Sequence, residues 1–426
     1  MEKVVEGKAY VNGVFVDCCI GVEEGRIKVV KKVLKGEKTI RFSKGLILPA
    51  AIDVHVHFRD PGFPEKEDFS TGTTAAAFGG VSCVLDMPNT KPSTNTIEAC
   101  KEKIAIAERK TYVDFGIYGG VVQRNLDKLS QLAEVTTAFK VYLGESTNTE
   151  VLEEDLLSIL ASKPITRVVA FHAEDAECLA VHAGKEADLS DHAMRRPSEC
   201  ERKAVEKILK TFSSSLTLVH ICHISSSVAL QTLSNKPGIF TVGVTPHHLL
   251  LKSNDDLPLQ QTFYKVNPPL RSSVDQTSLW NALVSGGVDV IESDHAPHTM
   301  EEKEQDFATA PSGVPGTETM LPVMFHQFMK RNIPISKLVT LLCEKPASRF
   351  SLPKGRIEVG KDADLIVVNP KNVERIRADD LHSRCGWSPF EGFPAVFPTD
   401  VFVRGERVIE ERELVGEQGF GRFIGG

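Results

Sequence analysis

The sequence predicts a (β/α)8 TIM barrel with a small β-sandwich domain built from both ends of the chain. Three observations carry this prediction. Eight short apolar runs rich in Val and Ile recur between residues 50 and 350, segments of helical composition separate most of them, and both flanks show shorter β patterns bounded by turns. Buried strands that alternate with helices indicate a parallel sheet, and eight such strands can close into a barrel.

The predicted barrel strands follow one another through residues 50–350. Between them lie stretches of helical composition, for example Thr96–Lys110, Arg202–Ser213 and Ser226–Ser234. The eight strands are predicted at Ile52–His57, Val81–Met87, Asp114–Gly120, Thr137–Leu143, Val168–Glu174, Leu216–Ser225, Phe240–His248 and Val288–His295.

The two flanks are each too short to bury a sizeable core alone. We therefore expect residues 1–49 and 351–426 to pair into one small β domain beside the barrel. The β patterns that support this expectation are Lys8–Val14, Cys19–Val30, Ala363–Val368 and Asp400–Val403.

Composition excludes several classes of function. The 426 residues contain 50 Lys plus Arg and 57 Asp plus Glu, a net charge of −7 with no basic block, which argues against nucleic-acid binding. Apolar runs such as Gly45–Ile52 are too short to span a membrane, and the charged first residues lack a signal core. Nine scattered cysteines without a CxxC pair indicate a cytoplasmic protein in a reducing compartment.

Histidines cluster at the predicted carboxyl ends of the strands, where barrel enzymes place their active sites. His55 and His57 are two residues apart in one strand and therefore point to the same face. Alone, this pair would equally fit two chance histidines. Four strand ends together supply a set of four imidazoles and one carboxylate that suits Zn²⁺ or a similar ion, and the residues at these ends are His55, His57, His172, His220, His223, Asp294 and His295.

Lys140 lies inside the apolar strand segment Ala138–Leu143. A buried lysine costs free energy unless it is paired or neutralised. From this segment alone, a snorkelling or salt-bridged lysine is one interpretation. The other is a carbamate formed with CO₂, an anion whose two oxygens can bridge two metal ions.

Several motifs resemble those of the type I dihydroorotases of the cyclic amidohydrolase superfamily, and together they span nearly the whole chain. The residues between Asp53 and Gly62 read DVHVHFRDPG, which is similar to the family signature. Further similar segments are Met87–Thr90, Asn267–Arg271, Ser293–His298 and Gly360–Leu365.

The resemblance implies a centre with two Zn²⁺, or another divalent metal. His55, His57 and Asp294 would hold one ion, and His172 with His223 would hold the second. Carboxylated Lys140 would bridge the two ions, and His220 would be a core residue beside them.

The resemblance also implies the substrate contacts and the reaction. Arg59 and Asn89 would hold the α-carboxylate of L-dihydroorotate, Asn267 and His298 would make further contacts, and Asp294 would be the general acid/base. Arginine suits this task because guanidinium and carboxylate pair in a bidentate manner. Water activated by the two metals would reversibly open the ring to N-carbamoyl-L-aspartate, a step of de novo pyrimidine biosynthesis.

Alternatives remain open at this point. An allantoinase or a hydantoinase-type dihydropyrimidinase would share the metals, and a non-catalytic scaffold would be a partner of another protein. Gly243 stands where some family members carry a metal-binding Glu, which argues against a third ion, although Cys222 remains beside His223. The segment 301–316 fits either a solvated loop or a wall over the substrate. A homodimer and an association with aspartate transcarbamoylase both remain open.

Overall fold

Five strands precede the barrel in the computed structural model, which describes residues 1–145, 149–163 and 165–425. The first three of them form a meander of antiparallel neighbours. The five are β1 (Lys3–Val11), β2 (Val14–Glu23), β3 (Arg26–Lys31), β4 (Lys38–Arg41) and β5 (Leu46–Pro49).

Eight parallel strands, β6 to β13, form the barrel in chain order. Every residue in them is buried, as expected of a parallel sheet covered by helices on its outer face. They are β6 (Ala51–Val56), β7 (Val81–Asp86), β8 (Asp114–Gly120), β9 (Ala138–Tyr142), β10 (Val169–His172), β11 (Val219–Ile221), β12 (Phe240–Val244) and β13 (Val290–Ile291).

The barrel closes between its first strand and the segment that follows its last strand. Val56 pairs in parallel with His295, and the His57 N–H donates to the His295 carbonyl oxygen at 2.7 Å. Closure confirms the predicted barrel and the order of its eight strands.

Several predicted strands extend too far; Phe240–His248, for example, ends as a strand at Val244, and Pro246–Leu250 is helical. Two more of them carry candidate ligands on turns beyond the strand end. β11 ends two residues before His223, and β13 ends three residues before Asp294. The reason is backbone conformation: φ is +37° at His223 and +47° at Asp294, values that an extended strand does not adopt. Both side chains therefore stand on the first turns after their strands.

The two ends of the chain form one sheet of nine strands, as predicted from their β patterns. β14 pairs antiparallel with β5 and with β17, so the C-terminal strands continue the N-terminal ones. The remaining strands are β14 (Leu365–Val368), β15 (Glu374–Arg375), β16 (Pro394–Ala395), β17 (Pro398–Val403), β18 (Glu406–Glu410) and β19 (Glu413–Leu414), of which β15 and β16 form a separate pair.

Fourteen helices of the described residues surround the barrel or connect its strands. Among them none is both long and apolar enough to cross a bilayer. They are α1 (Phe69–Phe78), α2 (Ile97–Glu108), α3 (Leu129–Leu132), α4 (Glu154–Ser162), α5 (Ala176–Val181), α6 (Leu189–Arg195), α7 (Ser198–Phe212), α8 (Ser227–Thr232), α9 (Pro246–Leu250), α10 (Ser273–Ser285), α11 (Met300–Lys303), α12 (Thr317–Lys330), α13 (Ile335–Val339) and α14 (Lys345–Arg349).

Capping residues and the spacing of apolar side chains explain where the helices begin and which face they bury. α1 begins after Asp68, whose carboxylate accepts a hydrogen bond from the Thr71 N–H at 3.0 Å, and this cap satisfies one free donor of the first turn. α7 buries Ala204, Val205 and Ile208 along one face, the spacing of an amphipathic helix.

The chain returns to the barrel mouth between β15 and β17. Ile376, Trp387 and Phe390 are buried there, and the Trp387 indole packs edge-on against Phe263 at 5.0 Å. The indole N–H also donates to the His298 carbonyl oxygen at 2.8 Å. The C-terminal part of the chain thus fixes a loop of the barrel mouth.

Two of the nine cysteines form a disulfide that their scattered positions do not predict. Cys178 in α5 is bonded to Cys200 in α7. The other seven cysteines are free and buried.

A buried ion cluster joins the barrel to the nine-stranded sheet. The Lys354 Nζ lies 2.6 Å from Asp114 at the start of β8, and 2.7 Å and 3.0 Å from Asp364 and Asp362 before β14. Burial opposes the charge, yet the carboxylates of Asp364 and Asp362 raise the pKa of Lys354 above its usual value. The ammonium therefore compensates three acids from two parts of the fold.

Replacing Lys354 with Met should destabilise the fold by about 3–5 kcal/mol, because it leaves the buried Asp364 carboxylate without a cation and removes one of the two cations paired with Asp114. The measurement is the urea midpoint of unfolding, compared with Lys371→Met at an exposed site. Equal midpoints for the two variants would contradict the role of this cluster.

Candidate active site

Three side chains at the closed seam of the barrel bring ligand atoms to one point. His55 and His57 flank the end of β6, and each places its Nε2 3.3 Å from Asp294 Oδ1. The His57 Nδ1 lies 2.6 Å from Asn89 Oδ1, so this nitrogen carries the proton and Nε2 offers its lone pair. Two imidazole nitrogens and one carboxylate oxygen thus lie within 4.8 Å of one another.

A second pair of imidazoles lies beside this group. The His172 Nδ1 is 3.3 Å from His223 Nε2, and the His223 ring lies 5.1 Å from that of His55. The Glu174 carboxylate holds the His172 Nε2 at 3.0 Å, and Arg196 in turn donates to Glu174 at 3.1 Å. Since Glu174 binds the proton-bearing nitrogen, His172 presents a bare lone pair at Nδ1.

Lys140 lies on the floor of the site, on β9. Its side chain is fully buried, and its Nζ lies 3.1 Å from Cys222 Sγ. No carboxylate forms an ion pair with this ammonium among the described residues, so the salt bridge considered from the sequence is not the arrangement found.

Burial sets the charge state of the imidazoles. Loss of water contact lowers the pKa of His55, His57 and His223 well below the usual histidine value, and neighbouring cations add to this effect. Burial also raises the pKa of Asp294 to about 7. Neutral imidazoles are the form that binds metal.

The donor set fits divalent metal ions. Neutral imidazole nitrogens and a buried carboxylate oxygen face one another, while the Nδ1 atoms of His55 and His223 find no hydrogen-bond partner among the described residues. Lone pairs that converge in a buried site are electrostatically unfavourable unless a cation lies between them. Imidazole with carboxylate suits zinc and similar ions.

Glu292 supports several of these ligands from behind. Its Oε1 accepts a hydrogen bond from the His223 N–H at 2.6 Å, and its Oε2 lies 3.1 Å from His220 Nε2 and 3.6 Å from His55 Nδ1. His220 thus contacts Glu292 instead of the converging ligand atoms. Glu292 also forms a buried group with His55 and Cys222 that could hold an ion.

The backbone is unusual at three of the site residues. Arg59, His223 and Asp294 have φ of +61°, +37° and +47°. Left-handed conformations cost free energy in residues other than glycine and concentrate at functional sites. Each of the three follows a barrel strand, and the turn directs its side chain into the mouth.

A cavity opens above the ligand atoms at the carboxyl ends of the strands. The metal-ligating candidates form its floor, and polar side chains and loop residues form its walls. Its lining comprises His55, His57, Arg59, Asn89, Lys140, Tyr142, His172, His223, Asn267, Asp294, Ala296, Ser312 and Gly313.

Arg59 is the cation of this cavity. Its side chain is only 3% exposed, its Nε donates to the Pro297 carbonyl oxygen at 3.3 Å, and its Nη2 lies 3.2 Å from His298 Nε2. Among the described residues no carboxylate lies within ion-pair distance of the guanidinium. A buried arginine without an anion is costly, so the site is prepared for an anionic ligand.

Of the other predicted substrate contacts, two line the cavity and one lies behind its wall. Asn267 lines the cavity, and its Oδ1 is buried without a hydrogen-bond partner among the described residues. Asn89 lines it as well but also holds His57. His298 lies one contact further out, between Arg59 and the Glu302 carboxylate at 3.2 Å.

The segment 301–316 forms a wall of the cavity. Ser312 and Gly313 line it, and the buried Lys303 Nζ donates to the carbonyl oxygens of Pro311 at 2.8 Å and Gly313 at 3.1 Å. A side chain at Gly313 would collide with the Ala296 carbonyl oxygen, so only glycine permits this close approach.

Sequence analysis did not identify the supporting carboxylates Glu174 and Glu292. Each lies two residues from a predicted ligand, His172 or Asp294, as does Tyr142 from Lys140. The same i, i+2 spacing that singled out His55 and His57 could have revealed them.

The chain is similar in sequence to amidohydrolases, and in particular to dihydroorotases. A model of the amidohydrolase family matches residues 46–408. The dihydroorotase of Methanosarcina acetivorans is 41% identical, with coverage of 95% of this chain and 91% of that protein. The dihydroorotase of Thermoplasma acidophilum is 37% identical, with coverage of 100% and 98%.

Solved structures share the architecture. An L-hydantoinase (dihydropyrimidinase) from Arthrobacter aurescens superposes with a TM-score of 0.95 at 27% identity, over 100% of both chains. A D-hydantoinase superposes with a TM-score of 0.92 at 25% identity, over 100% of this chain and 98% of that one.

Substitution of Glu174 by Gln should lower the affinity for a divalent metal by roughly 10- to 100-fold, because it weakens the contact that orients His172. Competition with a chromophoric chelator measures this affinity. The matched control is Glu199→Gln, which removes a partly exposed carboxylate paired with Arg202 at 2.6 Å. Equal metal affinities in the two variants would contradict this role of Glu174.

Proposed function

Since the chain belongs to the amidohydrolase family and, within it, to the dihydroorotases, we propose that it catalyses the reversible hydrolysis of L-dihydroorotate to N-carbamoyl-L-aspartate. This reaction is a step of de novo pyrimidine biosynthesis. The observation that carries the proposal is Arg59, a buried cation that has no ion-pair partner among the described residues and lines the cavity above the metal-ligating set.

The substrate carboxylate would supply the anion that Arg59 lacks. A guanidinium and a carboxylate can form two parallel hydrogen bonds, which fixes the plane of the substrate as well as its charge. Asn267 would add a contact through its unpaired Oδ1, which accepts a hydrogen bond, and Asn89 would add one beside His57. His298 would hold Arg59 in place from behind.

His55, His57 and Asp294 would hold one metal, and His172 with His223 would hold the second. When bound, two divalent ions lower the pKa of water, polarise a carbonyl and so provide hydroxide chemistry near neutral pH. Asp294 would accept the proton of the attacking water and deliver it to the ring nitrogen as the amide C–N bond breaks. The reverse sequence of proton transfers closes the ring.

Lys140 would be carboxylated. The Nζ–carbon bond would form with CO₂ as the ammonium releases two protons, and the product would be a carbamate anion in place of the cation. This change would remove an uncompensated buried cation and would provide two oxygens toward the two ligand groups. Its full burial beside Cys222 supports this proposal.

Zinc is the ion that we propose, because neutral imidazoles and one carboxylate dominate the ligand set. Seven of the nine cysteines are free and buried, which supports a cytoplasmic location, although the Cys178–Cys200 disulfide does not add to that support. A homodimer and a complex with aspartate transcarbamoylase are further proposals, which sedimentation of the protein with and without that partner tests.

A hydantoinase-type activity is the second candidate, because the similar solved structures are hydantoinases. Hydantoin and dihydrouracil carry no carboxylate. Arg59 would then remain a buried cation without a counterion, which favours the anionic substrate.

The metal-replete protein should hydrolyse L-dihydroorotate, and Lys140→Ala should lose both that activity and part of its bound metal. Ultraviolet absorbance follows turnover, and elemental analysis measures metal content. Turnover of hydantoin or allantoin without turnover of L-dihydroorotate would overturn the proposed substrate. Absence of both metal and turnover would instead favour the scaffold.

Arg59→Gln should lower kcat/KM for L-dihydroorotate, since it removes one partner of a buried charge pair. The fall should correspond to a loss of about 2–5 kcal/mol in transition-state stabilisation. Ring-opening of dihydrouracil, if measurable, should not fall, because that ring has no carboxylate. The variant Arg59→Lys keeps the charge and separates its effect from that of the bidentate geometry. Parallel losses on both substrates would contradict carboxylate recognition.

A further inference from the structure

Tyr142 is a wall residue of the cavity whose chemistry the proposed mechanism does not use. It ends β9, two residues after Lys140, and therefore shares the inward face of that strand. Its ring centroid lies 5.3 Å from the Lys140 Nζ and 6.0 Å from the centroid of the His172 ring. The ring thus stands on the side of the cavity where the metal-ligating candidates lie.

The hydroxyl of Tyr142 is unusual among the buried tyrosines. The residue is 6% exposed, and its hydroxyl has no hydrogen-bond partner among the described residues. By contrast, Tyr118 on β8 is fully buried and donates to the Val54 carbonyl oxygen at 2.9 Å. Buried hydroxyls normally find a partner, so an unpaired one in a cavity wall is directed at a ligand.

The hydroxyl is a donor in this place. A phenol hydroxyl has one O–H, which it can donate in a hydrogen bond to an acceptor on a ligand.

The position of the Tyr142 ring indicates which substrate oxygen would accept this hydrogen bond. The substrate carboxylate would have its own partners in Arg59 and Asn89, as proposed above. With the carboxylate held there, the oxygen on the side of Lys140 and His172 would be that of the amide carbonyl under attack, which gains negative charge as the tetrahedral intermediate forms.

We propose that the Tyr142 hydroxyl donates a hydrogen bond to the oxygen of the scissile amide and that this bond strengthens in the transition state. The inference rests on the proposed function, to which it adds a catalytic residue. Preorganised donors of this kind act most strongly where water is excluded, because they need no reorganisation during the reaction.

Tyr142→Phe removes only the hydroxyl, and Tyr118→Phe is the matched control in the neighbouring strand. We expect Tyr142→Phe to lower kcat for L-dihydroorotate by roughly 10- to 100-fold, with KM and bound metal close to the native values. The control should keep kcat within about threefold of native, but should unfold at a lower temperature because it loses a satisfied buried hydrogen bond.

The outcomes separate this inference from the proposed function. A native enzyme that turns over L-dihydroorotate, with Tyr142→Phe equally active, would overturn the role of Tyr142 alone. A loss confined to KM would also overturn it, because the bond would then belong to the bound ground state. A native protein that does not turn over L-dihydroorotate would overturn the proposed function and this inference together.

Discussion

The pairing between the first barrel strand and the segment after the last one is the contact on which the candidate site depends. The His57 N–H donates to the His295 carbonyl oxygen, and the Asp53 carboxylate accepts from the Ser293 N–H at 3.1 Å across 240 residues of sequence. Only this closure places the two imidazoles at the end of β6 against the Asp294 carboxylate. The candidate metal-ligating set is therefore a consequence of the barrel and could not form from either end alone.

Burial then determines how the site works. It keeps the imidazoles neutral, it leaves Arg59 as a cation in need of an anion, and it directs unpaired polar atoms into one cavity. The carboxylates Glu174 and Glu292 stand behind the ligands and fix their orientation. Polar groups would destabilise an ordinary core. They are tolerated here because each one either holds a neighbouring side chain or faces the cavity, where a ligand can bind it.

Much of this arrangement is predictable from local pattern. The eight strands and the spacing of His55 and His57 follow from periodicity, because strand alternation is a local property. Partners that are distant in sequence are not predictable in this way. Examples are the hydrogen bond from Arg196 to Glu174, the Cys178–Cys200 disulfide and the Lys354 cluster. The exact strand ends also escaped prediction, because a left-handed residue carries no periodic signal.

Anomalous diffraction from crystals of the zinc-loaded protein tests the central claim most directly, because it locates ions independently of activity. The account predicts two peaks, one bound by His55, His57 and Asp294 and the other by His172 and His223, with density for a carboxylate on Lys140. An absence of ions at these side chains, or zinc bound only elsewhere on the protein, would contradict it.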